Sequence, residues 1–298
     1  MNISNELSKN KEEFFISVIL ILIPIIFLTG SSVINSSIII IDTYFLYVLF
    51  KNKDFEFLNN RFFYSLMFFW IYLIINLFLS INLIDSLPRS IGFLRFIIFA
   101  FAINYFFTQK SEPIKKIILN CWTLVFLFIS FDLIFEFIFG YNIFGLESPF
   151  DGRLGGVMGE ELKIGHFYSA FVLIILLNLN NIIKKKFNKD YIFYFTIILF
   201  LLVSLIIGER SNFVKTFFII FLFIFIFDKK NLIKKILSLF FVILCIFVLI
   251  FNNNKFKERM WGKFLVPLFD NPIEFVFNSK YGSHYKVAIQ VFENNKLF

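Results

Sequence analysis

Residues 117–140 read IILNCWTLVFLFISFDLIFEFIFG, an apolar run whose only charged side chains are Asp132 and Glu136. As a helix, this run is long enough to cross a hydrocarbon core of about 30 Å. The two acids are four residues apart, so they lie on one helix face near one end of the span. This stretch therefore predicts a membrane helix that carries a pair of carboxylates at one depth.

Apolar runs of this kind recur along the chain, which is 59% hydrophobic and 17% charged. This apolar fraction is well above that of a soluble domain. We predict an all-α polytopic membrane protein with about nine transmembrane helices, in which residues 1–252 form the transmembrane domain and 253–298 begin a large loop. The predicted spans are 14–30, 32–50, 62–84, 91–107, 117–140, 164–180, 191–208, 211–227 and 236–252. Within the final loop, residues 283–293 have apolar positions at helical spacing and predict a short amphipathic helix.

The basic residues fall in short clusters between the apolar runs, which fits membrane topology better than nucleic-acid binding despite a net charge of +8. The lysine runs Lys184–Lys186 and Lys229–Lys230 predict cytoplasmic loops. With the N-terminus on the cytoplasmic side, the segments 85–90, 141–163, 209–210 and 253–298 lie outside. Two histidines and two cysteines cannot build a zinc site of the usual kind.

Arginine is distributed differently from lysine. Only six of the 29 basic residues are arginine, and five of the six fall on the predicted outer side. Arginine is required where a planar, permanently charged group must hold a carboxylate or phosphate at two points. The distribution therefore indicates an anion on the outer side, and the five residues are Arg89, Arg95, Arg153, Arg210 and Arg259.

Further charged residues share the depth of the outer interface. Two interpretations are open: they are ordinary interfacial residues, for example with Arg95 paired to Asp132 or Glu136, or they line a polar cavity for a lipid-linked phosphate. The residues are Arg95, Asp132, Glu136, Glu160, Glu161, His166, Glu209 and Arg210.

Two motifs lie on this side. Residues 153–168 (RLGGVMGEELKIGHFY) bring three glycines close to the start of a helix, where backbone N–H groups can meet an anion, although the glutamates could simply cap that helix. Residues 208–213 (GERSNF) predict a tight hairpin, which could equally be a turn with an ion pair inside the loop.

Together, the order of these motifs and the topology resemble the O-antigen ligase and O-antigen polymerase family of bacterial inner-membrane glycosyltransferases. The resemblance covers about residues 120–298, where 281–298 resembles the start of the family's large periplasmic loop. It implies transfer of a glycan from undecaprenyl diphosphate to a hydroxyl group of another glycan, a lipid A core or another acceptor, in lipopolysaccharide or other surface polysaccharide biosynthesis. It also implies that neither a metal nor another cofactor is needed.

The resemblance implies roles for individual residues. Arg153 and Arg210 would bind the pyrophosphate, with Arg89 and Arg95 as helpers. The candidates for the general base would be Glu160, Glu161 or His284, and the two glutamates could alternatively orient the substrate. In ligases of this family the usual histidine follows the segment where this chain ends, so we expect a C-terminally truncated chain. Ligase and polymerase activity are not separated by the sequence.

Two other classes of function stay open at this stage. A transporter or flippase of lipid-linked sugars would also use outer arginines, but it would place polar groups through the full membrane depth. A non-enzymatic membrane subunit could hold a partner through residues 253–298.

Overall fold

The computed structural model of the chain is helical, and the part of the chain that it describes contains no β-strand. It describes residues 11–80, 82–150, 152–161, 163–186, 190–227, 248, 257–258, 261–262, 266–278 and 280–294. These residues form the helices α1 (Lys11–Leu28), α2 (Ser31–Asn52), α3 (Arg61–Phe78), α4 (Leu83–Gly92), α5 (Leu94–Gln109), α6 (Glu112–Phe139), α7 (Ile164–Lys186), α8 (Asp190–Ile206), α9 (Arg210–Phe227), α10 (Val266–Asp270), α11 (Pro272–Asn278) and α12 (Lys280–Asn294). Short 3-10 helices lie at Phe55–Leu58 and Gly156–Glu161.

Five described stretches are long and apolar enough to cross a membrane, which indicates a multi-pass membrane protein. They are Ser31–Asn52, Arg61–Phe78, Leu83–Gln109, Glu112–Phe139 and Ile164–Ile183, and shorter apolar helices lie at Phe14–Leu28 and Tyr191–Ile206. The first eight predicted spans overlap helices, whereas the ninth, 236–252, lies outside the described residues except for residue 248. The count of nine and the orientation stay predictions.

The predicted loop at 85–90 is wrong, because these residues belong to helix α4. The Asn82 side chain caps this helix by accepting a hydrogen bond from the Asp85 backbone N–H. The Trp70 indole N–H then donates to the Ser90 carbonyl oxygen at 3.1 Å and ties α4 to α3. The cap starts a new helix that continues through Pro88, so the third span ends earlier than predicted, at Phe78.

The amphipathic helix predicted at 283–293 is confirmed by α12. Helix α12 packs against α11, and its side chains between residues 283 and 293 are exposed.

The chain divides into two compact units, Met1–Ile129 with Ile174–Ile182, and Ser130–Leu173 with Ile183–Phe298. In the first unit, α2 packs on α5 through aromatic rings, with Phe45 at 5.4 Å from Tyr105 between ring centroids. A buried indole N–H of Trp122 donates to the Leu20 carbonyl oxygen at 2.7 Å and joins α6 to α1. In membrane helices, where the hydrophobic effect does not separate helix from lipid, such hydrogen bonds and close packing hold neighbours together.

The second unit contains the end of α6, the start of α7, and helices α8 and α9. Tyr168 on α7 meets Phe200 on α8 edge to face, and Phe193 on α8 meets Phe223 on α9. Residues 140–163 connect α6 to α7 within this unit, and we call them the glycine-rich loop.

Candidate functional site

The two carboxylates at the end of α6 hold the glycine-rich loop. Both are buried, with exposed fractions of 0% for Asp132 and 2% for Glu136. Asp132 Oδ1 accepts a hydrogen bond from the Ile143 backbone N–H at 2.9 Å. The two carboxylate oxygens of Glu136 accept from the backbone N–H groups of Gly155 at 3.0 Å and Gly156 at 2.7 Å. Both oxygens of Glu136 are therefore satisfied by backbone N–H groups, as a buried carboxylate requires, whereas Asp132 Oδ2 is buried and has no hydrogen-bond partner among the described residues.

Asn142 fastens the two ends of the same loop to each other. Its Oδ1 accepts from the backbone N–H groups of Phe144 at 3.0 Å and Leu146 at 2.8 Å. Its Nδ2 donates to the Gly156 carbonyl oxygen at 2.7 Å, and the side chain is fully buried. The loop therefore has a fixed path that is set by three polar side chains.

The two sequence motifs pack directly against each other. The Leu154 backbone N–H donates to the Ile207 carbonyl oxygen at 3.0 Å. Gly208 has φ of 78°, and a Cβ at that position would lie 3.0 Å from the carbonyl carbon of Gly152 and 3.2 Å from the Arg153 Cα. Both the left-handed backbone and the close approach require glycine at residue 208. The structure thus brings Arg153 to the tip that precedes α9.

An ion pair crosses between the motifs. Arg153 Nη2 lies 3.4 Å from Glu209 Oε1, and the side chains are 32% and 4% exposed, respectively. The other oxygen of Glu209 accepts a hydrogen bond from Asn212 Nδ2. Arg210 follows Glu209 in the sequence, begins α9 and is partly buried. The ion pair of Glu209 therefore joins the hairpin to the glycine-rich loop, whereas the sequence suggested a pair inside the hairpin.

Glu209 also lies against the first turn of α7. A Cβ on Gly165 would come within 2.9 Å of the Glu209 carboxyl carbon, so a larger residue there would push the acid out of its present position. A negative charge near a helix N-terminus is favoured by the unpaired N–H groups of the first turn. The predicted anion position at this helix start is thus adjacent to a carboxylate of the chain itself.

The other predicted site residues are distributed as follows. Glu160 and Glu161 end the 3-10 helix Gly156–Glu161, and their side chains lie outside the described residues. His166 is exposed in the first turn of α7, and His284 is exposed on α12. Arg259 also lies outside the described part of the chain.

Arg89 and Arg95 belong to the first compact unit, whereas Arg153 and Arg210 belong to the second. Arg89 is exposed in the last turn of α4. The Arg95 guanidinium carbon lies 4.7 Å from the centroid of the Phe96 ring, which is a cation–π distance.

Sequence reasoning missed the partners that organise the site. The sequence predicted no role for Asn142, none for Asn212 beyond its place in the motif 208–213, and no contact between Glu136 and the glycines. The available signal was a short acidic pair at a helix end followed by a loop rich in glycine, whose N–H groups need acceptors. Within the described ranges, no group of three His, Cys, Asp or Glu residues is arranged to hold a metal ion.

Comparison with known proteins adds no relative. No family model, curated protein or solved structure matches the chain.

Proposed function

We propose that the chain is a membrane glycosyltransferase of the O-antigen ligase or polymerase type, acting at the periplasmic face of a bacterial inner membrane. The observation that supports it best is the packing of the Arg153 segment against the Gly208–Arg210 tip, through the Leu154–Ile207 hydrogen bond and the Arg153–Glu209 ion pair. Two arginines on adjoining segments suit a diphosphate, which offers several anionic oxygens within a few ångströms.

The proposed donor is a glycan on undecaprenyl diphosphate. An acceptor hydroxyl oxygen attacks the anomeric carbon, the bond from that carbon to the diphosphate oxygen breaks, and the diphosphate leaves with the electron pair. Arg153 and Arg210 would stabilise the negative charge that develops on the leaving group. The acceptor proton goes to a general base, for which Glu160, Glu161 and His284 are the proposed candidates.

The helper roles of Arg89 and Arg95 stay predictions of the family resemblance, because both residues belong to the first compact unit.

Binding of undecaprenyl diphosphate to the purified chain in nanodiscs tests the proposal without requiring turnover. We expect Arg153→Ala and Arg210→Ala each to weaken binding by roughly tenfold or more, since each removes charge-assisted hydrogen bonds. Arg61→Ala is the matched control, because Arg61 is exposed at the start of α3 in the first unit. Undecaprenol, which has the same tail and no phosphate, serves as the ligand control.

Equal affinity of wild type, Arg153→Ala and Arg210→Ala for undecaprenyl diphosphate would overturn the proposal. The proposal would also be overturned if the two variants lost affinity for undecaprenol and for undecaprenyl diphosphate to the same extent. The arginines would then affect binding of the tail or the fold rather than binding of the diphosphate.

A further inference from the structure

We infer that Glu209 is a positioning residue for Arg153, and that it fixes the guanidinium for the diphosphate of the ligand. This inference rests on the proposed function, because it assumes that Arg153 binds the lipid diphosphate. It gives a specific role to a residue that the sequence placed only in a group of charged residues and in a hairpin.

The first support is that Glu209 is itself held in place. Its side chain is only 4% exposed, one oxygen faces Arg153 Nη2 and the other accepts from Asn212 Nδ2. Gly165 makes room for the carboxylate against the first turn of α7. If Arg153 moved away, a buried carboxylate would lose its counter-charge, which is strongly unfavourable. Glu209 is therefore a fixed support for Arg153.

The second support is that Glu209 engages only part of the guanidinium. The ion pair uses Nη2 at 3.4 Å, while Nε is buried and has no hydrogen-bond partner among the described residues. Roughly one third of the Arg153 side chain is exposed. An arginine has five N–H donors in a planar fork, so donors remain for phosphate oxygens after Glu209 has set the plane.

The third support is that the backbone immediately after Arg153 is fixed by hydrogen bonds. Leu154 is hydrogen-bonded to Ile207, and the N–H groups of Gly155 and Gly156 are bound by Glu136. Because these contacts fix the position of the Arg153 Cα, Glu209 can act on Arg153 only by restricting its side-chain torsions. Restricting them lowers the entropy that ligand binding would otherwise cost.

An alternative role for Glu209 is that of an internal anion that competes with the phosphate for Arg153. The two roles predict opposite signs. A competitor would weaken ligand binding, so its removal would strengthen it, whereas loss of a positioning residue weakens binding. The burial of Glu209 and its second bond to Asn212 favour positioning, because a competing carboxylate must be able to withdraw.

The test is the affinity for undecaprenyl diphosphate in nanodiscs, measured for Glu209→Gln and Glu209→Asp. Glutamine keeps the shape and loses the charge, while aspartate keeps the charge on a shorter side chain. We expect Glu209→Gln to weaken binding by roughly tenfold, as for other residues that orient a binding group, and Glu209→Asp to retain more affinity than Glu209→Gln. Glu147→Gln, an exposed acid in the same loop, is the control and should bind as wild type.

A double-mutant cycle separates positioning of Arg153 from a general effect on the fold. Glu209→Gln should have no further effect on affinity in an Arg153→Ala background, because the residue that it positions is absent. An equal loss in both backgrounds, or a Gln variant that binds better than the Asp variant, would overturn the inference. Tighter binding by Glu209→Gln would also overturn it and would identify a competing anion. If Arg153→Ala binds as wild type, the proposed function fails, and this outcome is read separately.

Discussion

Replacing Glu136 with glutamine tests whether its carboxylate holds the glycine-rich loop in place. The substitution keeps the size of the side chain, so packing is nearly unchanged. In the wild-type chain, the Glu136 carboxylate accepts hydrogen bonds from the backbone N–H groups of Gly155 at 3.0 Å and Gly156 at 2.7 Å. Glutamine offers one carbonyl oxygen and one NH2 group, so one glycine N–H keeps a neutral acceptor and the other faces a donor.

The expected magnitude follows from these two bonds. A hydrogen bond to a charged group contributes about 1.5–3 kcal/mol, and an unsatisfied buried donor costs about 1–3 kcal/mol. Removing the like charge beside Asp132, four residues away on the same helix face, returns about 0.2–0.5 kcal/mol. We therefore expect the loop to be destabilised locally by about 2–4 kcal/mol, which multiplies its opening equilibrium by roughly 30-fold or more.

Hydrogen–deuterium exchange of the protein in nanodiscs measures that equilibrium at the amides of Gly155 and Gly156. Glu147→Gln makes the same chemical change at an exposed position of the loop and should leave exchange unchanged. If exchange in Glu136→Gln matches that in Glu147→Gln, the carboxylate does not hold the loop, and the reasoning fails.

Two further predictions concern packing. Gly208→Ala should lower the thermal stability and the undecaprenyl diphosphate affinity together, because a side chain at φ of 78° costs about 1–2 kcal/mol and also meets the backbone of Gly152. The control Gly92→Ala should be neutral or stabilising, because nothing lies within 4 Å of a Cβ at that position. Equal behaviour of the two variants would contradict the close contact at Gly208. Trp122→Phe should lower the free energy of unfolding by about 1 kcal/mol through loss of the 2.7 Å bond to Leu20, measured by thermal denaturation in detergent, and an unchanged midpoint would show that this bond contributes nothing.

The helices were predictable because each depends on local composition. Apolar length alone predicted the positions of α2 and α6, since a membrane helix satisfies its own backbone. The boundary near Pro88 was not predictable from the same rule. The sequence placed 85–90 between two spans, whereas the Asn82 cap starts a helix that continues through Pro88.

The site was predictable only in part, because its contacts join distant residues. The arginine distribution indicated five arginines, the two motifs contain Arg153 and Arg210, and the structure brings the segments of these two residues together. The hydrogen bonds from Gly155 and Gly156 to Glu136 span 19 and 20 residues along the chain. No local periodicity encodes such a pairing. The contact between the Glu136 carboxylate and the glycine N–H groups depends on the path of the whole loop, which the sequence does not specify.

The contact between Gly208 and Gly152 also limits how this protein can vary. The two glycines come from segments that are separate in the sequence, and their backbones approach too closely for a side chain at residue 208. An insertion that lengthens one segment, or a substitution that adds a Cβ at the contact, must be matched by a compensating change in the other segment. The two motifs should therefore be inherited as a pair, and a chimaera that exchanges only one of them should lose the ion pair between Arg153 and Glu209.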